Sequence, residues 1–353
     1  SGVNDLDGNL LSPGYFYAAE GVEDVSLLSF SNFNLFGTYQ GGLRQIQIGD
    51  VDSDGNLNLY IAGHSNVSID KYSGEEMANF NVDGSVQLYY NNSEKFFNYD
   101  YEIKSKYEKN EIHCQRGYTR FGKEHSKDNP APDLKEFYQV GRTLEEQHPE
   151  YENFLHNVWP EEVPELKNNL ETLYSKLEEC SNKLLEACSI YLGMEENWLT
   201  SMAKDGNTIL RVIHYPPIPD NINPNSVRSS QHEDINLITL LCASTEGGLE
   251  VMDHDGSWFK VETGPEYIVV DTGDMIQNIT NGLFKSTTHR VVNPENSNLR
   301  RFSMPMFVHP RNEIDLTPLP KFIEITGGEQ KFESITAGDY LHQRLVEIGL
   351  ADS

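Results

Sequence analysis

The chain reads as mainly β with supporting helices, its strands arranged as an antiparallel sandwich or barrel. Three observations predict this. Between residues 208 and 310, short apolar runs recur at even spacing, divided by turns at Glu246-Gly247-Gly248, Asp255-Gly256 and Asn281-Gly282. One long stripe of 3.6-residue periodicity runs from Glu161 to Leu192. Residues 1–94 are rich in Asn, Gly, Ser and Asp and hold alternating runs, which makes them a β-rich N-terminal extension.

In that extension, Arg44–Ile48, Leu57–Ala62 and Val86–Tyr90 alternate apolar and polar residues, with turn signals at Asp54-Gly55, Ser73-Gly74 and Asp83-Gly84. Asp50 to Asn56 resembles the first half of a calcium loop, but Ile61 stands where an EF-hand needs Glu, so a solvated hairpin turn is the better reading. Composition changes near residue 95. Leu134–Val140 suits a short helix. The Glu161–Leu192 stripe gives a helix, with Pro164 tolerable in its first turn and Gly193 as its stop. Glu195–Met202 suits another short helix. Strands follow at Thr208–His214, Ile235–Ala243, Leu249–Met252, Trp258–Val261, Tyr267–Asp271, Met275–Ile279, His289–Val292 and Arg301–Val308, and a last helix covers Ala337–Ile348. The domains expected are 1–94 and 95–353, the second divided into a helical part (95–205), a β core (206–310) and the C-terminal helix (337–348). Asn66, Asn91 and Asn278 match the weak Asn-x-Ser/Thr glycosylation pattern, the last inside an expected core strand.

The 353 residues carry a net charge of −28, which disfavours a nucleic-acid partner because a phosphate backbone would be repelled. No run of about 18 apolar residues suits a membrane span, and no signal-peptide pattern opens the sequence. Cys114, Cys180, Cys188 and Cys242 lack framework spacing and read as reduced, buried thiols of a cytoplasmic protein.

Chemistry concentrates in Q-H-E-D-I-N-L, from Gln231 to Leu237. On a strand, His232 and Asp234 share a face. His289, in S-T-T-H-R-V-V-N-P, is a third candidate ligand. Two His and one carboxylate with open positions suit a non-haem Fe(II) oxygenase. A bare H-x-D pair, by contrast, is usually a sheet histidine beside a turn aspartate. Arg301 and Ser303 share a strand face and offer a fork and a hydroxyl to a carboxylate, and Tyr215 offers a phenol to the same group.

These motifs stand in order: L-R-V-I-H-Y-P-P-I-P from Leu210, H-E-D-I-N-L-I-T-L-L from His232, G-G-L-E-V from Gly247, V-V-D-T-G-D-M-I-Q from Val269, T-N-G-L-F-K-S-T-T-H-R-V-V-N-P from Thr280 and R-F-S-M-P-M-F from Arg301. Together they resemble the isopenicillin N synthase-like family of Fe(II)/2-oxoglutarate dioxygenases, over about Lys95 to Leu350. The resemblance implies a double-stranded β-helix, or jelly-roll, core. It implies His232, Asp234 and His289 as Fe(II) ligands, and Arg301, Ser303 and Tyr215 as contacts to 2-oxoglutarate. Ile213 replaces the Asn of the family's N-x-Y-P-P segment. It further implies use of dioxygen to oxidise, most commonly hydroxylate, a small molecule with release of succinate and carbon dioxide. Isopenicillin N synthase itself uses no 2-oxoglutarate, so an oxidase of the same fold stays open. Arg116, Tyr118 and Arg211 are candidate substrate contacts, with a turn anchored by Gly117 and Gly122 and an inter-strand ion pair of Arg211 as their alternatives; Gln277 and Phe284 are candidate cavity residues.

The family's usual N-terminal unit is not evident. Residues 38–94 instead resemble β-rich tail or fibre segments of marine phages, the relevant stretch being Gly74–Phe97. That leaves a virion-attachment protein as an alternative, and a homo-oligomer formed through residues 1–94 as an alternative to a monomer.

Overall fold

The computed structural model describes residues 43–49, 58–63 and 66–69 as backbone strands, and residues 85–351 apart from 128, 243, 254 and 262–267. The expected calcium-like turn at Asp50–Asn56 lies outside these residues. Strands β1 (Leu43–Gly49), β2 (Asn58–Gly63) and β3 (Asn66–Ile69) form an antiparallel set, as the alternation of the first two predicts. Helices α1 (Ser85–Phe97) and α2 (Tyr101–Lys104) follow. Next come β4 (Gly117–Thr119), β5 (Glu136–Gly141), α3 (Glu165–Tyr191) and α4 (Trp198–Ala203).

The core strands are β6 (Ile209–Tyr215), β7 (Ser229–His232), β8 (Ile238–Cys242), β9 (Leu249–Met252), β10 (Trp258–Lys260), β11 (Ile268–Thr272), β12 (His289–Val291) and β13 (Arg301–Val308). Helix α5 (Asp274–Ile279) interrupts them, and α6 (Pro320–Ile325) and α7 (Ala337–Glu347) close the chain. Two sheets result. The larger has the order β3-β2-β1-β11-β8-β13-β6-β5-β4, and the smaller β10-β9-β12-β7. Every registered strand pair is antiparallel, and from β6 to β13 the chain alternates between the sheets, the β9–β10 hairpin counting as one step. That is the jelly-roll arrangement, and it encloses a space between the inner faces. The β-rich extension continues the larger sheet, because β1 pairs with β11.

Alternation divides the larger sheet. Its outer face buries Tyr138, Val140, Leu210, Val212, Leu240, Cys242, Val270, Met304 and Met306 against Leu170, Leu173, Leu177, Leu184 and Cys188 of α3. The α3 stripe thus does what its periodicity predicts, and all four cysteines are free and buried. The inner face carries Phe137, Ile213 and Tyr215, which meet Val291 of the smaller sheet.

Three expected elements differ. Leu134–Val140 is not helix: its residues from Glu136 onward belong to strand β5. Its helix-forming Leu, Lys, Glu and Gln are overridden by pairing to β4 on one side and β6 on the other. Met275–Ile279 is helix rather than strand. Met275, Ile276 and Ile279 are buried at i, i+1 and i+4, a helical spacing that five residues also allow to read as a strand. Val86–Tyr90 belongs to α1. The buried set Tyr90, Asn92, Ser93, Phe96 and Phe97 shows the helical period only when the window extends to Phe97. The phage-like stretch Gly74–Phe97 is therefore helical from Ser85 onward, and α1 crosses the composition break at residue 95.

Leu177→Ala, at a fully buried position of α3, is expected to cost about 2–5 kcal/mol in urea unfolding without altering the inner-face residues. A loss below about 1 kcal/mol would show that α3 does not brace the sheet.

Candidate functional site

Strand β7 ends at His232, and the antiparallel register sets His289, the first residue of β12, directly opposite. The two rings lie 4.3 Å apart between centroids at 53°. Asp234 follows β7 by two residues and is buried. Its Oδ1 is 3.7 Å from His232 Nε2 and 3.9 Å from His289 Nε2. The three ligand atoms lie within 4.8 Å of one another. This is the sole such group of His, Cys, Asp or Glu among the described residues.

Each group has its other polar atom fixed. His232 Nδ1 lies 2.7 Å from Ser230 O, and His289 Nδ1 lies 3.0 Å from Thr287 O. A carbonyl only accepts, so each Nδ1 carries the proton and each Nε2 lone pair faces the centre. Thr239 Oγ1 donates to Asp234 Oδ2 at 2.5 Å, and Asn236 Nδ2 donates to Thr239 Oγ1 at 2.7 Å. Burial and the adjacent His289 push His232 down to about 4, so it stays neutral at pH 7. Burial and the Asp234 charge push neighbouring Asp271 up to about 8.

The loop carrying Asp234 is clamped by the turn into α5. Asp274 N donates to Asp234 O at 2.7 Å, Met275 N to Asn236 O at 3.0 Å, and Gly273 N to Leu237 O at 3.0 Å. A Cβ on Gly273 would sit 2.3 Å from Asn236 Oδ1 and 2.7 Å from Asp234 O, so only glycine fits.

The triad opens into a cavity of about 780 Å³ that Arg301, Ser303 and Tyr215 also line. Register explains the grouping: Arg301 pairs with Tyr215, and Ser303 with Ile213. Arg301 is 1% exposed. Its Nε donates to Glu246 O at 2.9 Å, its guanidinium lies 5.0 Å from the Tyr215 ring, and its Nη1 is buried without a partner. Such an orphaned charged donor is costly, and a carboxylate entering the cavity would complete it. The two imidazoles and one carboxylate equally suit Fe(II).

Arg116 and Tyr118 are not among the cavity residues, which corrects their expected role. Tyr118 pairs with Tyr138 on the helix-facing side, and its hydroxyl donates to Glu136. Arg116 shares that parity and is fully buried, with Nη2 donating to Asn207 Oδ1 at 2.9 Å. Gly117, at φ +77°, sits between them as the first residue of β4. Arg211 does reach the cavity. It pairs with Glu124 at 3.1 Å, donates to Gln139 Oε1 at 3.0 Å, and packs 4.1 Å from the Phe137 ring centroid. Gln277 lines the cavity, while Phe284 is core.

The cavity also holds polar groups that the sequence did not reveal. Lys135 Nζ bridges Glu124 (2.7 Å) and Asp133 (2.9 Å) and donates to Ser229 Oγ at 3.1 Å. Asp133 Oδ1 accepts from Ser230 N at 3.0 Å, which ties the network to β7. Against burial, which alone would raise it, Arg211 and Lys135 hold Glu124 at about 2. Reading Leu134–Val140 as a strand would have put Lys135, Phe137 and Gln139 on one face and exposed the pattern. His309, also in the wall, is pushed down to about 4, chiefly by burial.

Residues 206–310 match the family model described as 2OG-Fe(II) oxygenase superfamily, and residues 81–162 match that of the non-haem dioxygenase N-terminal region. The latter match begins ahead of the expected boundary at residue 95 and takes in α1. A 2-oxoglutarate-dependent dioxygenase of Didymella fabae is 30% identical over 241 residues, 64% of this chain and 71% of the relative. A 2-oxoglutarate-Fe(II) type oxidoreductase of Metarhizium rileyi is 30% identical over 223 residues, 61% of each. The match spans about three fifths of the length of the first such relatives. A 2OG-Fe(II) oxygenase family protein from Caulobacter crescentus superposes with TM-score 0.66 at 37% identity, covering 75% of this chain and 86% of that one. A full-length Neurospora crassa protein in complex with alpha-KG superposes with TM-score 0.63 at 30% identity, covering 74% and 82%.

Gly273→Ala is expected to cost about 1–3 kcal/mol by overpacking and to weaken Mn(II) binding about 10–100-fold by displacing the Asp234 loop. Unchanged affinity in titration would show that the clamp does not set the ligand. His309 adds a pH signature. A folded value of about 4 against 6.5 unfolded means its contribution is complete above pH 6.5 and is lost as pH falls toward 4. In metal-free protein, His309→Gln should reduce the stability lost between pH 7 and 4 by about 3 kcal/mol. An unchanged slope in urea melts would place the acid sensitivity elsewhere.

Proposed function

The chain belongs to the 2OG-Fe(II) oxygenase superfamily, and from that premise we propose that it is an Fe(II)/2-oxoglutarate-dependent dioxygenase that hydroxylates a small molecule, with release of succinate and carbon dioxide. The observation that carries this reading is one cavity containing both a tautomer-locked His-Asp-His set and a buried arginine lacking an acidic partner. Its ordered motifs favour the isopenicillin N synthase-like branch. The Neurospora crassa protein, described also in complex with alpha-KG and thymine, supports a small-molecule substrate.

Fe(II), when bound, supplies the redox chemistry that activates dioxygen. His232 Nε2, Asp234 Oδ1 and His289 Nε2 would hold it from one side, leaving the cavity side for exchangeable ligands. Arg301 and Ser303 would hold the distal carboxylate of 2-oxoglutarate, with Tyr215 beside them. Leu241, Val251, Val269 and Val291 make this part of the wall apolar and keep water from the reacting groups. Arg211, already neutralised by Glu124, would face the substrate.

Anaerobic titration with Fe(II) and 2-oxoglutarate should produce the visible charge-transfer absorption of a chelated 2-oxo acid. Asp234→Ala should abolish it. Arg301→Ala should weaken 2-oxoglutarate at least about tenfold, the effect of losing a charged hydrogen bond. Metal binding without the absorption would favour an oxidase that does not use 2-oxoglutarate, and absence of metal binding would overturn the enzyme reading.

A further inference from the structure

A second arginine stands behind the one facing the cavity. Arg228 immediately precedes β7, four residues before His232, and is 1% exposed. Its guanidinium lies 5.8 Å from the Tyr215 ring centroid, and that of Arg301 lies 5.0 Å from the same ring. Arg228 Nη2 donates to Leu299 O, two residues before Arg301, and its Nε is buried without a partner. Arg301 also has an orphaned atom, Nη1. Among the described residues neither guanidinium forms an ion pair with a carboxylate. Both donate to backbone oxygens instead, those of Leu299 and Glu246.

Two buried like charges on one tyrosine ring repel each other, and within the described residues neither forms an ion pair, the Glu246 charge acting on Arg228 only from beyond contact. Burial, then the Arg301 charge, weaken the hold of Arg228 on its proton, opposed in part by Glu246. The balanced Arg211–Glu124–Lys135–Asp133 network elsewhere in the cavity has no such excess. The pair stands where Arg301 opens into the cavity. The distal carboxylate of a dianionic 2-oxo acid would lie in the field of both guanidinium groups; a monoanionic 2-oxo acid, whose one carboxylate goes to the metal, brings no charge to this end.

We propose that Arg228 is a positioning residue that makes this end of the cavity doubly cationic and so selects a dianionic 2-oxo acid over a monoanionic one. It is not among the cavity-lining residues, so it acts through Tyr215, through its field on the bound carboxylate, and through the Leu299 bond that anchors the start of β13. The proposal rests on the co-substrate reading above.

The test is anaerobic calorimetry on Mn(II)-loaded protein with two five-carbon acids, 2-oxoglutarate and 2-oxovalerate, which differ in the distal carboxylate. Wild type should prefer 2-oxoglutarate. R228M should weaken 2-oxoglutarate about tenfold or more while leaving 2-oxovalerate within about twofold. R228K, which keeps the charge, should hold the wild-type ratio within about threefold. Equal loss of both acids in R228M would mean a purely structural role and overturn the proposal. Should R228M not fold, R228K decides: a ratio fallen tenfold sinks the proposal, and a retained ratio supports it. Wild-type protein that binds neither acid would instead refute the co-substrate reading itself.

Discussion

The site depends on how one buried carboxylate is shared. Asp234 gives one oxygen to Thr239 and leaves the other facing two imidazoles, while its backbone carbonyl accepts from the first turn of α5. Each bond comes from a different part of the fold. Thr239 lies on the larger sheet, the histidines on the smaller, and α5 on the connection between them. The sheets must therefore close over the same residue. Gly273 is the tightest point of that closure, since any side chain there would collide with the Asp234 loop. An arrangement fixed from three directions needs little reorganisation to accept a metal ion, and preorganisation of this kind gives such sites their affinity.

Charge is distributed with equal economy. The chain carries −28 overall, which opposes the approach of an anionic co-substrate over distances comparable to the Debye length. Inside the cavity that bias is reversed locally. Glu124, Lys135, Asp133 and Arg211 cancel in an alternating row. Arg301 and Arg228 form no ion pair with a carboxylate among the described residues. On the proposal above, two buried guanidinium groups set which ligand is held against that overall negative field.

Much of the site was legible in the sequence because strands impose a two-residue period. The pairing of Arg301 and Ser303 follows from that rule; His232 and Asp234 converge although Asp234 lies in the loop beyond β7. The α3 stripe was legible for the complementary reason, a 3.6-residue period sustained over many turns. Short segments failed where two periods fit equally. Met275–Ile279 has too few residues to separate them, and Leu134–Val140 has helix-forming composition that strand pairing on both sides overrides. The second error hid Lys135 and Gln139. Arg116 and Tyr118 were misplaced because the three residues of β4 are too few to show a period from which to read a face. Arg228 left no signal, since its meaning comes from proximity to Tyr215 and Arg301.

The most direct measurement is an anaerobic crystal structure of the protein with Fe(II) and 2-oxoglutarate, with the metal located by anomalous scattering. The account predicts one iron within about 2.3 Å of His232 Nε2, Asp234 Oδ1 and His289 Nε2, with both Nδ1–H bonds to Ser230 and Thr287 retained and the distal carboxylate on Arg301 Nη1. Iron bound elsewhere, or a triad that must rotate its rings to reach the metal, would contradict it.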